Sequence, residues 1–218
     1  MDATAALKMT FLKVSPSIQS DEFPCGPNSL YMVLNYLKDE VSRETIIKAF
    51  SEVEYDINFS RMPTIALIAK KLGFDPFLVL TNYSYLPAKL NELESTEIIE
   101  YLRGRIDSGP SWIDDDVKLY YGELIKYLDL GGRVEFRFFT AEDLLNSLGK
   151  NKPCIAQINS ASFSKKDLPF MKQHFVVVIG EEGGEMIMNS GHEEPIRKEI
   201  KDFMFSLYRV KIPNLLLF

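Results

Sequence analysis

The sequence predicts an α+β fold, with helices leading and strands following, and three observations predict it. Apolar residues recur at helical spacing through the first half, as at Leu30, Val33, Leu34 and Leu37. The last third instead alternates, or runs in short apolar stretches bounded by turn residues. No repeat and no low-complexity linker divides the two regions, so residues 1–218 read as one domain.

Taken in order, residues 25–37 form a helix, with Pro27 near its start, where a missing N–H costs little. A second helix starts after Ser42, a suitable N-cap, with Val41 and Ile46 placed to staple it. Residues 63–72 continue the helical pattern and close at Gly73. A strand over 74–80 follows. Residues 82–130 read as an all-helical elaboration, with helices over 96–106 and 117–128 around the loop signal Ser108-Gly109-Pro110.

Residues 133–139 alternate as a strand, and Thr140 with Asp143 resembles a capping box opening a helix to Leu148. Strands are expected over 154–159, 174–180 and 185–188. The last two fit a hairpin across Glu182-Gly183-Gly184. Apolar runs over 203–210 and 214–218 finish the chain.

Composition narrows the function. Of 218 residues, 46% are hydrophobic, enough for a substantial core, and the formal net charge is -6. With no basic stripe to track phosphates, nucleic acid is not an expected partner. No stretch of about 18 uncharged apolar residues occurs, so no membrane span is expected. Residues 1–14 lack the apolar core of a signal peptide, and the expected location is cytoplasmic. Two cysteines, Cys25 and Cys154, fall short of a disulfide framework, and a single bridge between them would have to meet demanding geometry. Two Cys and two His match no zinc spacing, and no metal or organic cofactor is expected.

Four residues could carry chemistry. Cys25 opens a helix, where unpaired N–H groups and the positive dipole end favour a thiolate; a buried structural cysteine is the plain alternative. His174 stands at the start of an apolar strand and is the better base; His192 lies in a Gly191-His192-Glu193-Glu194 loop and reads as a solvated surface residue. Asn189 follows the next strand and is expected to orient the imidazole, although Asn189-Ser190-Gly191 is also ordinary turn chemistry. Gln19, six residues before Cys25, could join the Cys25 amide as an oxyanion donor.

These residues resemble a known family. Gln19 followed by Cys25-Gly26-Pro27-Asn28-Ser29-Leu30-Tyr31-Met32-Val33-Leu34-Asn35-Tyr36 resembles the nucleophile segment of the bacteriocin-processing, double-glycine-leader cysteine peptidases and their stand-alone relatives. Asn151-Lys152-Pro153-Cys154-Ile155-Ala156-Gln157-Ile158 and His174-Phe175-Val176-Val177-Val178-Ile179-Gly180 are similar to its two following strands.

The resemblance implies a papain-like cysteine peptidase fold: an N-terminal helical half carrying Cys25 and a C-terminal antiparallel sheet carrying His174. It implies Cys25 as nucleophile, His174 as general base and acid, and Gln19 as oxyanion donor. The function implied is hydrolysis of a peptide or related amide through a thioester acyl-enzyme. The alternatives are an acyltransferase on the same residues or a catalytically silent peptide-binding protein. Where the family usually has Asp-Pro, this chain has Asn189-Ser190.

Overall fold

The computed structural model describes residues 10–38, 41–53, 60–81, 85–162 and 173–218. Helix α1 (Cys25–Leu37) begins at the cysteine, after Pro24 in extended conformation. Helix α2 (Arg43–Ser51) is capped by Ser42, whose hydroxyl accepts the Thr45 amide at 3.1 Å. Helix α3 (Met62–Lys71) ends ahead of Gly73 at φ 85°, the left-handed conformation that glycine adopts without a Cβ clash.

Between residues 85 and 130 the chain forms a 3-10 turn (Ala88–Glu92), α4 (Ser95–Ser108) and α5 (Asp115–Asp129), joined by turns and loops. Residues 82–84 of the expected elaboration lie outside the described residues. Its place in the topology explains its length. Strands β2 (Phe77–Leu80) and β3 (Arg133–Phe136) are parallel neighbours, and a parallel pair needs a crossover between its strands. The 3-10 turn, α4 and α5 make that crossover.

Helix α6 (Ala141–Gly149) carries the expected capping box, with Thr140 N–H donating to Asp143 at 2.7 Å. Strands β4 (Cys154–Asn159), β5 (Gln173–Glu182) and β6 (Glu185–Asn189) follow. Gly183 and Gly184, both at positive φ, turn β5 into β6. Strand β7 (Ile196–Glu199), helix α7 (Ile200–Leu207) and strand β8 (Asn214–Leu217) complete the chain. The apolar run that starts at residue 203 thus forms most of a helix, with Phe203 and Leu207 buried and Phe205 exposed.

The sheet runs β3-β2-β8-β4-β5-β6-β7, and β1 (Thr10–Phe11) pairs with the far end of β5. Apart from β2–β3, every strand pair among the described residues is antiparallel. The arrangement is the α+β one anticipated: a helix opening on Cys25 packs on a largely antiparallel sheet that carries His174. It differs in one respect, because β2 and β3 enter that sheet from the middle of the chain. Leu30, Val33 and Leu34 of α1 and Val176 to Val178 of β5 are fully buried in one apolar cluster. Burying such side chains contributes roughly 1.5–3 kcal/mol each and fixes the helix on the strand.

Candidate active site

Cys25 is half-buried at the first turn of α1, a turn with no acidic side chain. Burial pushes its thiol above the ordinary range, and the amides of Phe175, Gly26 and Cys25 itself pull in the other direction. Gly26 lets the chain come close: a Cβ there would meet the Ser60 hydroxyl at 2.2 Å. Cys154 is different in kind. It is fully buried on β4, with a thiol pushed up to about 12 by burial, and both cysteines are free.

The segment before Cys25 is braced from below. Ser17 Oγ donates to Asn28 Oδ1 at 2.6 Å, while Asn28 Nδ2 donates back to the Ser17 carbonyl at 2.7 Å. Arg43 Nη2 reaches Ser17 Oγ at 2.7 Å and the Ile18 carbonyl at 3.0 Å. Its guanidinium also sits over the rings of Phe23 and Tyr31. Gln19 N–H then donates to the Gly191 carbonyl at 3.1 Å, which ties this segment to the loop after β6. The Gln19 side chain packs on Gly191 with its Oε1 buried and without a partner among the described residues, and it lines a cavity with Ser15, Ser20, Tyr31 and Arg43.

The β4–β5 register decides which way the strand residues point. Ile158 stands opposite His174, and Gln157 opposite Phe175. Alternation therefore sends His174 and Val176 to one face and Gln173 and Phe175 to the other. The cavities agree. Cys25 opens on one of about 230 Å³ with Arg61, Gln157, Gln173 and Phe175. His174 lines one of about 260 Å³ with Ile158, Val176, Met188, Ser190 and His192. Cys25 meets the strand through the Phe175 amide, one residue beyond His174.

Asn189 was expected to orient the imidazole. It pairs with Val177, which puts it on the face opposite His174, and its Nδ2 donates to the Val14 carbonyl at 3.1 Å. The group that His174 does meet is the Ser190 carbonyl, 3.0 Å from Nε2. A carbonyl only accepts, so Nε2 carries the proton. Burial holds the imidazole below its ordinary pKa, and the Ser190 carbonyl works against that shift.

Three further groups belong to the Cys25 cavity and escaped the sequence reading. Gln157 interrupts the apolar run from Cys154 to Ile158, and that interruption is the signal that could have found it. Gln173 precedes the histidine. Arg61, at the N-terminus of α3, pairs with Asp116 at 2.7 Å and with buried Glu123 at 2.8 Å, joining α3 to α5 at the rim. Burial pushes the Glu123 carboxyl up, and the Arg61 charge and hydrogen bond oppose it. No cluster of three or more metal-ligating side chains occurs among the described residues, and none of their helices is long and apolar enough to cross a membrane.

No family model and no curated protein matches the chain. Among solved structures, it is similar to the peptidase domain of Streptococcus ComA, a bi-functional ABC transporter involved in a quorum-sensing pathway. The two are 14% identical, the match covers 93% of this chain and 96% of that one, and the TM-score is 0.47.

Proposed function

We propose that the chain is a cysteine peptidase-like hydrolase that cleaves a peptide or related amide bond, with Cys25 as nucleophile. The observation that carries the reading is the setting of the sulfur. It lies at the N-terminus of a 13-residue helix, is approached by three backbone amides, and opens on a cavity lined by amide side chains. In this reading the start of β5 rearranges when substrate is bound, so that His174, neutral near pH 7, leaves the Ser190 carbonyl and the face it shares with Val176 and comes to the thiol. It takes the thiol proton as sulfur attacks the carbonyl carbon. It then returns the proton to the leaving amine, and a water activated by the same imidazole releases the thioester.

A second reading is favoured by one observation: Cys25 and His174 line different cavities. A scaffold that keeps them apart would bind peptides without cleaving them.

Incubation with a mixture of unstructured peptides, followed by mass spectrometry, separates the two. The hydrolase reading expects cleavage by the unaltered protein, none by Cys25→Ala or His174→Ala, and native thermal transitions in both variants. Peptide binding that persists in Cys25→Ala, with no cleavage by any form, would sink the hydrolase reading in favour of the binding one.

A further inference from the structure

A chain of primary amides runs from the core into the Cys25 cavity, and its orientation is fixed from the buried end. Asn214, fully buried on β8, donates through Nδ2 to the Ile212 carbonyl at 2.7 Å. Because that carbonyl only accepts, the nitrogen and oxygen of the Asn214 amide cannot be exchanged. The same Nδ2 donates to Gln157 Oε1 at 2.8 Å. Gln157 must therefore present its nitrogen at the other end, and its Nε2 donates to Gln173 Oε1 at 2.8 Å. With its oxygen engaged, Gln173 is left with an NH2 group that has no partner among the described residues. Gln173 lines the cavity beside Cys25, on the strand face it shares with Phe175.

The geometry points to Gln173 as a donor for the substrate carbonyl in the Cys25 cavity, its NH2 aimed by the relay from Ile212 through Asn214 and Gln157. The assignment rests on the reading of Cys25 as a nucleophile that accepts acyl groups. It also separates Gln173 from Gln19, whose side chain lines a different cavity with its amide oxygen buried. A donor held in place before reaction stabilises the oxygen of a tetrahedral intermediate with no rearrangement at that moment.

Two reactions of Cys25 test this. Iodoacetamide alkylates the sulfur by displacing iodide and builds no charge on a carbonyl oxygen, so its rate reports the thiolate alone. p-Nitrophenyl acetate acylates it: sulfur attacks the carbonyl carbon, a C–S bond forms, p-nitrophenolate leaves with the C–O bonding pair, and the thiol proton passes to solvent or His174. Only the second reaction passes through an oxyanion. In Gln173→Leu, acylation is expected to fall about 100-fold while alkylation keeps its rate. Gln173 is exposed at the first position of β5, so the variant is expected to fold.

Unchanged acylation in Gln173→Leu, or an equal fall in both reactions, overturns the assignment and leaves Cys25 as nucleophile. An unaltered protein whose Cys25 is alkylated but never acylated overturns the nucleophile reading, and the role of Gln173 with it.

Discussion

His174 Nε2 lies 3.0 Å from the backbone carbonyl of Ser190, and no side chain of the Asn189-Ser190 pair takes part. The side chain at position 190 is thus dispensable for holding the ring. Ser190 Oγ is itself buried without a partner among the described residues, a state that costs free energy. Ser190→Ala is therefore expected to be neutral or stabilising and to leave the imidazole titration unchanged. Asn189→Ala removes the donor to Val14 and leaves that carbonyl unpaired, at a cost of about 1–3 kcal/mol. Urea denaturation of both variants, with an NMR titration of His174, checks this. A large shift in His174 on Ser190→Ala would contradict it.

Gly191 joins the two ends of the site. Its φ is 81°, and a Cβ there would meet Gln19 Oε1 at 2.9 Å and Gln19 Cβ at 3.1 Å. Gly191→Ala is expected to lose about 1–2 kcal/mol from the left-handed backbone alone, with a further loss from the contact. Trimming Gln19 removes the amide end of that contact. Gln19→Ala should then cost less in the Gly191→Ala background than in the native protein, and a double-mutant cycle by urea denaturation measures the difference. Strict additivity would show that the two side chains do not meet.

Helix boundaries were legible because their signals are local. Pro27, the Ser42 cap, the Thr140–Asp143 box and the Gly183-Gly184 turn act within a few residues of themselves. The parallel β2–β3 pairing was not legible, since nothing in either strand names a partner more than 50 residues away. Strand β7 reads Ile-Arg-Lys-Glu, a charged edge without an apolar pattern to find it. The Cys25 helix and the His174 strand could be read from residue types. The direction of each side chain could not, because a one-residue shift in register exchanges the two faces. The β5–β6 ladder contains such an irregularity, between Val178 and Gly180. The face of Asn189 therefore follows from the assembled sheet.

Asp143 supports the helix before β4 through three hydrogen bonds: a bidentate pair with Arg137, at 2.7 and 3.0 Å, and the cap on the Thr140 amide. Burial pushes its carboxyl up, but Arg137 and the Thr140 amide outweigh that and hold it below the ordinary 3.8. A depressed folded pKa contributes stability that is present above the unfolded value and lost as pH falls through the folded one. Asp143→Asn is expected to cost about 1–3 kcal/mol at pH 7. The gap from the native protein should close below the ordinary 3.8 of the carboxyl, as Asp143 takes up its proton. Thermal unfolding of both proteins across that range checks the sign, and a gap that widens in acid would contradict it.

The directions of the two site pKa values predict which kind of dyad operates. Burial raises the Cys25 thiol and lowers the His174 imidazole, so near pH 7 both are neutral. A neutral pair works by general base catalysis at the moment of attack, not through a standing thiolate–imidazolium pair. Hydrolysis needs the unprotonated imidazole, so its acid limb should lie below the ordinary histidine value of 6.5. Alkylation by iodoacetamide needs the thiolate and should still be rising above about pH 8.5, the range of a free cysteine. The two profiles are expected to be well separated, and His174→Ala should abolish hydrolysis while leaving alkylation unchanged. Cys154, with its thiol near 12 and no exposure, is the internal control and should react only after unfolding. A Cys25 that alkylates fully by about pH 6, and loses that reactivity in His174→Ala, would mean that imidazolium sits against the sulfur in the resting protein. The general-base reading would then give way to a preformed ion pair.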